Sequence, residues 1–293
     1  MIYSGDGSSK DSSQTDDPNK PAWGVGGALL VWIASIALVV FMPLLFLVPY
    51  ASSKGIHFGA NYLPAFVQFA THDKTALLLQ ILALFPSHLL TFLLVWALIT
   101  RFGKRSFWAA IGWEWPPQFP WWLEVLVSVM LGIVLFGIGS VIAWLFASEK
   151  PTQLEVLINS SLAARYAISI LAVFTAPFAE ELVYRGVLFA PLQRLAGTRS
   201  AVVIVLALFT VIHVPQYWPN IGVIAAVALL SIVLTLVRAF SGRLLPCIVI
   251  HFVFNGIQAI FLVLEPFLHR SLPNPEQLAP TTGFLLALLN LRV

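Results

Sequence analysis

Glu180, Glu181 and Arg185 interrupt an otherwise apolar stretch, 166–195, and two later apolar stretches carry His213, then His251 and Asn255. Ionisable groups inside a hydrophobic span cost about 2.5–3.5 kcal/mol each on insertion scales, so those that persist are paired or functional. On an α-helix, positions four apart share a face while adjacent positions diverge by about 100°. Glu181 and Arg185 are therefore expected to pair as a structural staple, and Glu180, pointing elsewhere, is left without a local countercharge. An unpaired carboxylate within reach of a histidine suits general-base chemistry on a water molecule. His251 and Asn255 are also four apart and share one face. Counted at about 1.5 Å per residue from the basic ends of their stretches, Glu180 and His213 both lie roughly 21 Å deep, with His251 and Asn255 roughly 10 and 16 Å deep. All four are expected to converge.

The elements that position these groups must be membrane helices. Hydrophobic residues make up 59% of the 293, charged residues only 10%, and the mean hydropathy is +0.90, a composition that no soluble domain shares. Cutting at the polar breaks gives spans near 23–50, 75–100, 121–147, 166–195, 200–217, 221–240 and 244–264, with a shorter apolar segment, 281–291, as an eighth. Seven of these reach or approach the roughly 20 residues that cross about 30 Å of hydrocarbon. The expected fold is an all-α, polytopic transmembrane bundle of about eight spans. Residues 1–20, rich in Ser, Asp and Gly, are expected to form a structureless tail and lack the basic start of a signal peptide; 21–293 form the membrane domain, with its motif-bearing core at 166–258.

Lys and Arg set the orientation. Lys10, Lys20, Arg101, Lys104, Arg105, Arg194, Arg199, Arg238, Arg243 and Arg292 fall on one side of an eight-span chain, against Lys54, Lys74, Lys150, Arg165 and Arg270 on the other. Both termini are thus expected in the cytoplasm. The net charge of +3 follows from this topology and calls for no nucleic-acid partner. The single cysteine, Cys247, excludes an intramolecular disulfide and reads as packing. The loop 107–122 holds five of the ten tryptophans, which favours an interfacial anchor for the third span over a lid or lateral gate for a lipid-linked substrate. The polar stretch 55–72 is expected at the outer surface. His88, beside Pro86 and Ser87, reads as a polar group at a proline kink, and Tyr184 and Gly186 as aids to close packing.

The segments Glu180-Glu181-x-x-x-Arg185, Phe209-x-x-x-His213 and His251-x-x-x-Asn255 resemble the three motifs of the CAAX protease and bacteriocin-processing family, intramembrane endopeptidases that include the type II CAAX prenyl endopeptidases. The resemblance covers roughly 166–258. It implies eight helices around a conical cavity open to the cytoplasm and the lipid, and a glutamate-dependent, metal-free hydrolysis. Glu180 with His213 would position and deprotonate the attacking water, and His251 and Asn255 would line an oxyanion hole. Their ring N–H and amide N–H suit charge developing on a carbonyl oxygen. Phe209, one turn before His213, reads as a packing wall. The implied substrate is a peptide bond of a membrane-associated or lipid-modified protein, with no cofactor, and the location is the plasma membrane if the source is bacterial.

Three other readings compete. Glu180, Glu181, His213 and His251 are ligand types for zinc, but the chain lacks the His-Glu-x-x-His helix that presents two imidazoles and a base together. A proton-coupled transporter would use such carboxylates and histidines as a relay, yet the polar groups are few and no repeat is visible. A catalytically silent scaffold or immunity protein would not need the full set.

Overall fold

The computed structural model describes residues 17–271. Among them every regular element is helical. The chain runs through α1 (Val25–Ser53), α2 (Tyr62–His72), α3 (Lys74–Leu82), α4 (Leu84–Thr100), α5 (Phe107–Ile111), α6 (Trp121–Leu145) and α7 (Gln153–Asn159). The motif-bearing helix follows as α8 (Leu162–Ile170), a π segment (Leu171–Thr175), α9 (Ala176–Glu181), a second π segment (Leu182–Leu188) and α10 (Phe189–Tyr217). Then come α11 (Ile221–Ser241) and α12 (Leu245–Ser271).

Among the described residues six helical stretches are long and apolar enough to cross a membrane: Val25–Ser53, Lys74–Thr100, Trp121–Leu145, Leu162–Tyr217, Ile221–Ser241 and Leu245–Phe267. The protein is an integral, multi-pass membrane protein. The fourth stretch is 56 residues long, about 84 Å of helix, far more than one bilayer thickness. It is two passes joined at Gly197, where the backbone leaves helical geometry (φ 79°, ψ 165°). The hairpin is seen in its side chains: the Arg185 guanidinium, before the bend, lies 4.8 Å over the Phe209 ring, after it. The segment 281–291, expected as an eighth span, lies outside the described residues. The second span is broken between α3 and α4 because Pro86 withholds the amide that the Leu82 carbonyl would accept. The stretch 55–72 does not span; its helix α2 has 11 residues, none of them buried.

One end of the bundle gathers the basic loops. The Arg101 guanidinium donates to the Ala22 carbonyl (3.1 Å), Arg194 to the Pro21 carbonyl (3.1 Å) and Arg243 to Glu114 (2.7 Å). The Leu244 amide donates to the Gly112 carbonyl (3.0 Å). Residues 17–20 differ from the expected structureless tail: the Lys20 amide closes a turn on the Asp17 carbonyl at 2.9 Å, and Pro18 and Asn19 accept hydrogen bonds from Arg238. Tertiary partners, invisible to composition, order this polar stretch. Two other basic residues assigned to loops are interior groups. Arg238 is 1% exposed in the last turn of α11, and Arg165, in the first turn of α8, is buried and ion-paired with Glu265 of α12.

The Trp-rich loop folds as α5 followed by a coil, with Phe107 and Ile111 buried and Trp108, Trp121 and Trp122 exposed. A chain of ring contacts runs from Trp108 to Trp113 (4.9 Å) and from Trp113 to Phe178 (6.0 Å). That chain ends two residues before Glu180.

Candidate active site

Two prolines shape the helix that carries the glutamate pair. Ala176 gives its amide to the Leu171 carbonyl, closing the first π segment. The Ala172 carbonyl is then without a helical donor, because its i+4 donor is committed and its i+5 position is Pro177, which has no N–H. The Asn255 side-chain amide fills the gap, donating at 2.8 Å. Pro191 repeats the pattern one π segment later: it stands four residues after Val187, and the Val187 carbonyl takes the indole N–H of Trp23 at 3.0 Å. Buried backbone acceptors must find partners, so these two prolines commit α12 and the residues just ahead of α1 to this helix. Wide π turns of this kind recur at functional sites.

The expected Glu181–Arg185 pair is present, with Nη1 2.9 Å from Oε1 and both side chains 0% exposed. Arg185 is otherwise saturated from α11, donating from Nη2 to the Ser231 carbonyl (2.9 Å) and hydroxyl (3.0 Å) and from Nε to the Thr235 hydroxyl (3.3 Å). The pair has a third member. His251 Nδ1 lies 2.8 Å from the same Glu181 Oε1. Its Nε2 faces the other glutamate, 3.8 Å from Glu180 Oε2. Adjacent carboxylates that were expected to diverge thus reach opposite edges of one imidazole.

Glu180 has a second histidine beside it. His213 Nε2 stands 4.0 Å from Glu180 Oε1, and His213 Nδ1 is 2.7 Å from the Phe209 carbonyl. A carbonyl only accepts, so Nδ1 carries the hydrogen and neutral His213 presents a lone pair at Nε2. Phe209 holds this ring from below, stacked at 4.5 Å and 30°, and Tyr217 stacks on its far side at 6.2 Å. The Glu180 side chain is 24% exposed and that of His213 12%, against 3% for His251. Glu180 and His213 are therefore the accessible members of the cluster, and His251 and Glu181 the buried ones.

The structure brings Glu180, His213 and His251 into one cluster, with Glu181 and Arg185 behind it. Asn255 sits one turn beyond His251 on α12 with one amide hydrogen committed to Ala172, leaving the other. Sequence reasoning did not foresee the links from His251 to both glutamates or from Asn255 to the backbone. Pro177 five residues after an apolar alanine was the one available signal for the latter. His88, read as a kink group, donates or accepts at Thr175 (2.8 Å) in the first π segment. Gly186 has ordinary room beside it, the nearest atoms to an added Cβ being 3.7 Å away, so close packing does not require it; Tyr184 accepts the indole N–H of Trp32 at 3.0 Å. Among the described residues no group of three or more His, Cys, Asp or Glu side chains is arranged to hold a metal ion.

Residues 162–257 match the family model described as type II CAAX prenyl endopeptidase Rce1-like. The match takes in all three motifs, Glu180 to Asn255. No curated protein and no solved structure is significantly similar to the chain.

Proposed function

From the match of residues 162–257 to the type II CAAX prenyl endopeptidase family model, we propose that this protein belongs to that family and is an intramembrane endopeptidase in which Glu180 and His213 activate water against a peptide bond. The observation that carries the reading is the placement of the Glu180 carboxylate between two imidazole Nε2 atoms, at 4.0 and 3.8 Å. Glu180 Oε1 and His213 Nε2 are both acceptors. A water in the 4.0 Å gap donates one hydrogen to each and turns its lone pairs outward, toward a scissile carbonyl carbon. As the water oxygen attacks, one proton passes to Glu180. Glu180 then returns it to the departing nitrogen, and the C–N bond breaks to give a carboxylic acid and an amine, which pass to carboxylate and ammonium on release.

His251 and Asn255 receive the oxyanion. His251 donates from Nε2 only with both nitrogens protonated, because Nδ1–H is directed at a Glu181 oxygen that already accepts from Arg185. With Glu180 and Glu181 ionised and Arg185 and His251 cationic, the cluster sums to zero charge, the condition under which buried ions are tolerated. Glu181 in this reading does more than pair with Arg185: it fixes the proton that His251 presents. Neither step passes through a metal.

The substrate class is a membrane-associated or prenylated, CAAX-type peptide that enters from the lipid on the side of the basic loops. Those loops, and with them both termini, face the cytoplasm, at the plasma membrane in a bacterial host. The test is cleavage of a quenched farnesylated CAAX peptide, beside an unprenylated control, by the purified protein. Loss of cleavage in Glu180→Gln supports the reading, and full turnover in that variant refutes it. If dialysis against chelator abolishes cleavage and zinc restores it, Glu180, His213 and His251 are metal ligands instead.

A further inference from the structure

The segment from Asp17 to Trp23 crosses the basic end of the bundle and is held at five of its seven residues. Arg238 donates from Nη2 to the Pro18 carbonyl (2.9 Å) and from Nη1 to the Asn19 side chain (2.9 Å). Arg194 and Arg101 take the carbonyls of Pro21 and Ala22, and Trp23 docks its indole N–H on Val187. The slot beneath is built for it. Gly112 and Gly242 both have positive φ (68°), a conformation that costs glycine nothing. A Cβ on Gly112 would meet Pro18 at 3.2 Å, and one on Gly242 would meet the Asn19 amide at 2.9 Å.

This strap is connected to the reacting groups. The same Arg238 donates from Nε to the backbone carbonyl of Arg185 at 3.1 Å. The path continues through the Arg185–Glu181 pair (2.9 Å) to His251 (2.8 Å). Trp23 grips the same π segment two residues further on, at Val187. Strap and cluster thus share one segment, Leu182–Leu188, in which the carbonyls of Arg185 and Val187 accept from side chains outside it.

We propose that Arg238 and the Asp17–Trp23 strap are positioning elements of the active site, holding the Arg185 turn so that Glu181 meets His251. The inference rests on the reading of Glu180 and His251 as groups of the reacting site. Arg238 touches no reacting atom and acts only through Arg185. Asn19 and Trp23 set the position of Arg238 and of the turn from the other end.

Three variants of the full chain in detergent or nanodiscs test this: Arg238→Lys, which keeps the charge and loses the fork, Trp23→Phe, which keeps a ring and loses the N–H, and the milder Asn19→Ala. Two measurements are made on each, kinetics on the farnesylated peptide and ¹⁵N-histidine NMR. The resonance of His251 is assigned by its loss in His251→Gln, and His72, remote from the basic end, serves as internal control. The expected result is a fall in kcat of up to about one-hundred-fold with KM unchanged, the signature of a misplacement transmitted from outside the site. A displaced His251 resonance with a fixed His72 signal accompanies it, smallest in Asn19→Ala. An unchanged His251 resonance in all three variants overturns the proposal, as does a loss confined to KM. A wild-type protein that cleaves nothing while its His251 resonance still follows the strap would refute the protease reading alone and leave the coupling standing.

Discussion

Replacing Arg185 by methionine removes the cation from the middle of a fully buried network while keeping most of its volume. The guanidinium makes four contacts of hydrogen-bonding distance, to Glu181, to the Ser231 carbonyl and hydroxyl and to Thr235. Two of the last three acceptors are cushioned, because the Thr235 hydroxyl also donates to the Ser231 carbonyl at 2.7 Å, and the Ser231 hydroxyl is free to rotate. The cost therefore concentrates on Glu181. Breaking a buried ion pair by removing one partner costs about 3–5 kcal/mol. Glu181 keeps its contact with His251, which places Arg185→Met at the lower end, about 3 kcal/mol. In Glu181→Gln/Arg185→Met no buried carboxylate is stranded, and the glutamine oxygen still accepts from His251 Nδ1, so the double variant is expected to recover about 1–3 kcal/mol relative to the sum of the singles. Thermal unfolding of the four proteins in one detergent closes the cycle. Additivity of the two single variants would refute direct coupling, and a stable Arg185→Met protein would show that Glu181 is not buried as a charge.

Asn255→Ala is expected to lower turnover by roughly 100–1,000-fold as an oxyanion donor and to destabilise by about 1–3 kcal/mol through the stranded Ala172 carbonyl; kinetics and thermal midpoint read the two effects separately. Pro177→Ala restores the missing backbone N–H, so in the Pro177→Ala/Asn255→Ala protein the stability is expected to return while the activity stays low. Glu180→Gln is expected to insert, fold and keep its thermal midpoint yet show no cleavage in the peptide assay. His213→Ala is expected to change the shape of the pH–rate profile, whereas Asn255→Ala lowers it without changing its shape.

Local spacing told much of this in advance. The apolar runs marked the spans because lipid leaves few alternatives to helix, and the i,i+4 rule placed Arg185 on Glu181. The same rule left Glu180 outside that pair but could not supply its neighbours. It treats adjacent side chains as facing apart, but a ring from α12 inserted between two carboxylates is contacted by both. Arg165 and Arg238 were counted as loop charges because each falls at the edge of an apolar run; their partners, Glu265 and Pro18 with Asn19, lie 100 and about 220 positions away in the chain, a separation that no local pattern encodes. For the same reason the polar composition of 17–20 gave no hint of a docked strap. The role of Asn255 toward Ala172 was written in the sequence only as a proline, and reading it requires knowing which helix faces that proline.

Pro177 and Pro191 leave gaps in one helix that are filled by the last described helix and by the residue just ahead of the first. In hydrocarbon an unmatched backbone group costs several kcal/mol, so the motif-bearing helix is a poor membrane helix by itself. During synthesis Trp23 is available when this helix emerges from the ribosome, but Asn255 and His251 are not. The segment must wait, with its Ala172 carbonyl unmet and its Glu181 without the imidazole, until α12 has been made and inserted. Assembly of the cluster is thereby tied to α12: a polypeptide that stops short of that helix carries both glutamates and His213 but neither His251 nor Asn255, and its centre stays unbuilt.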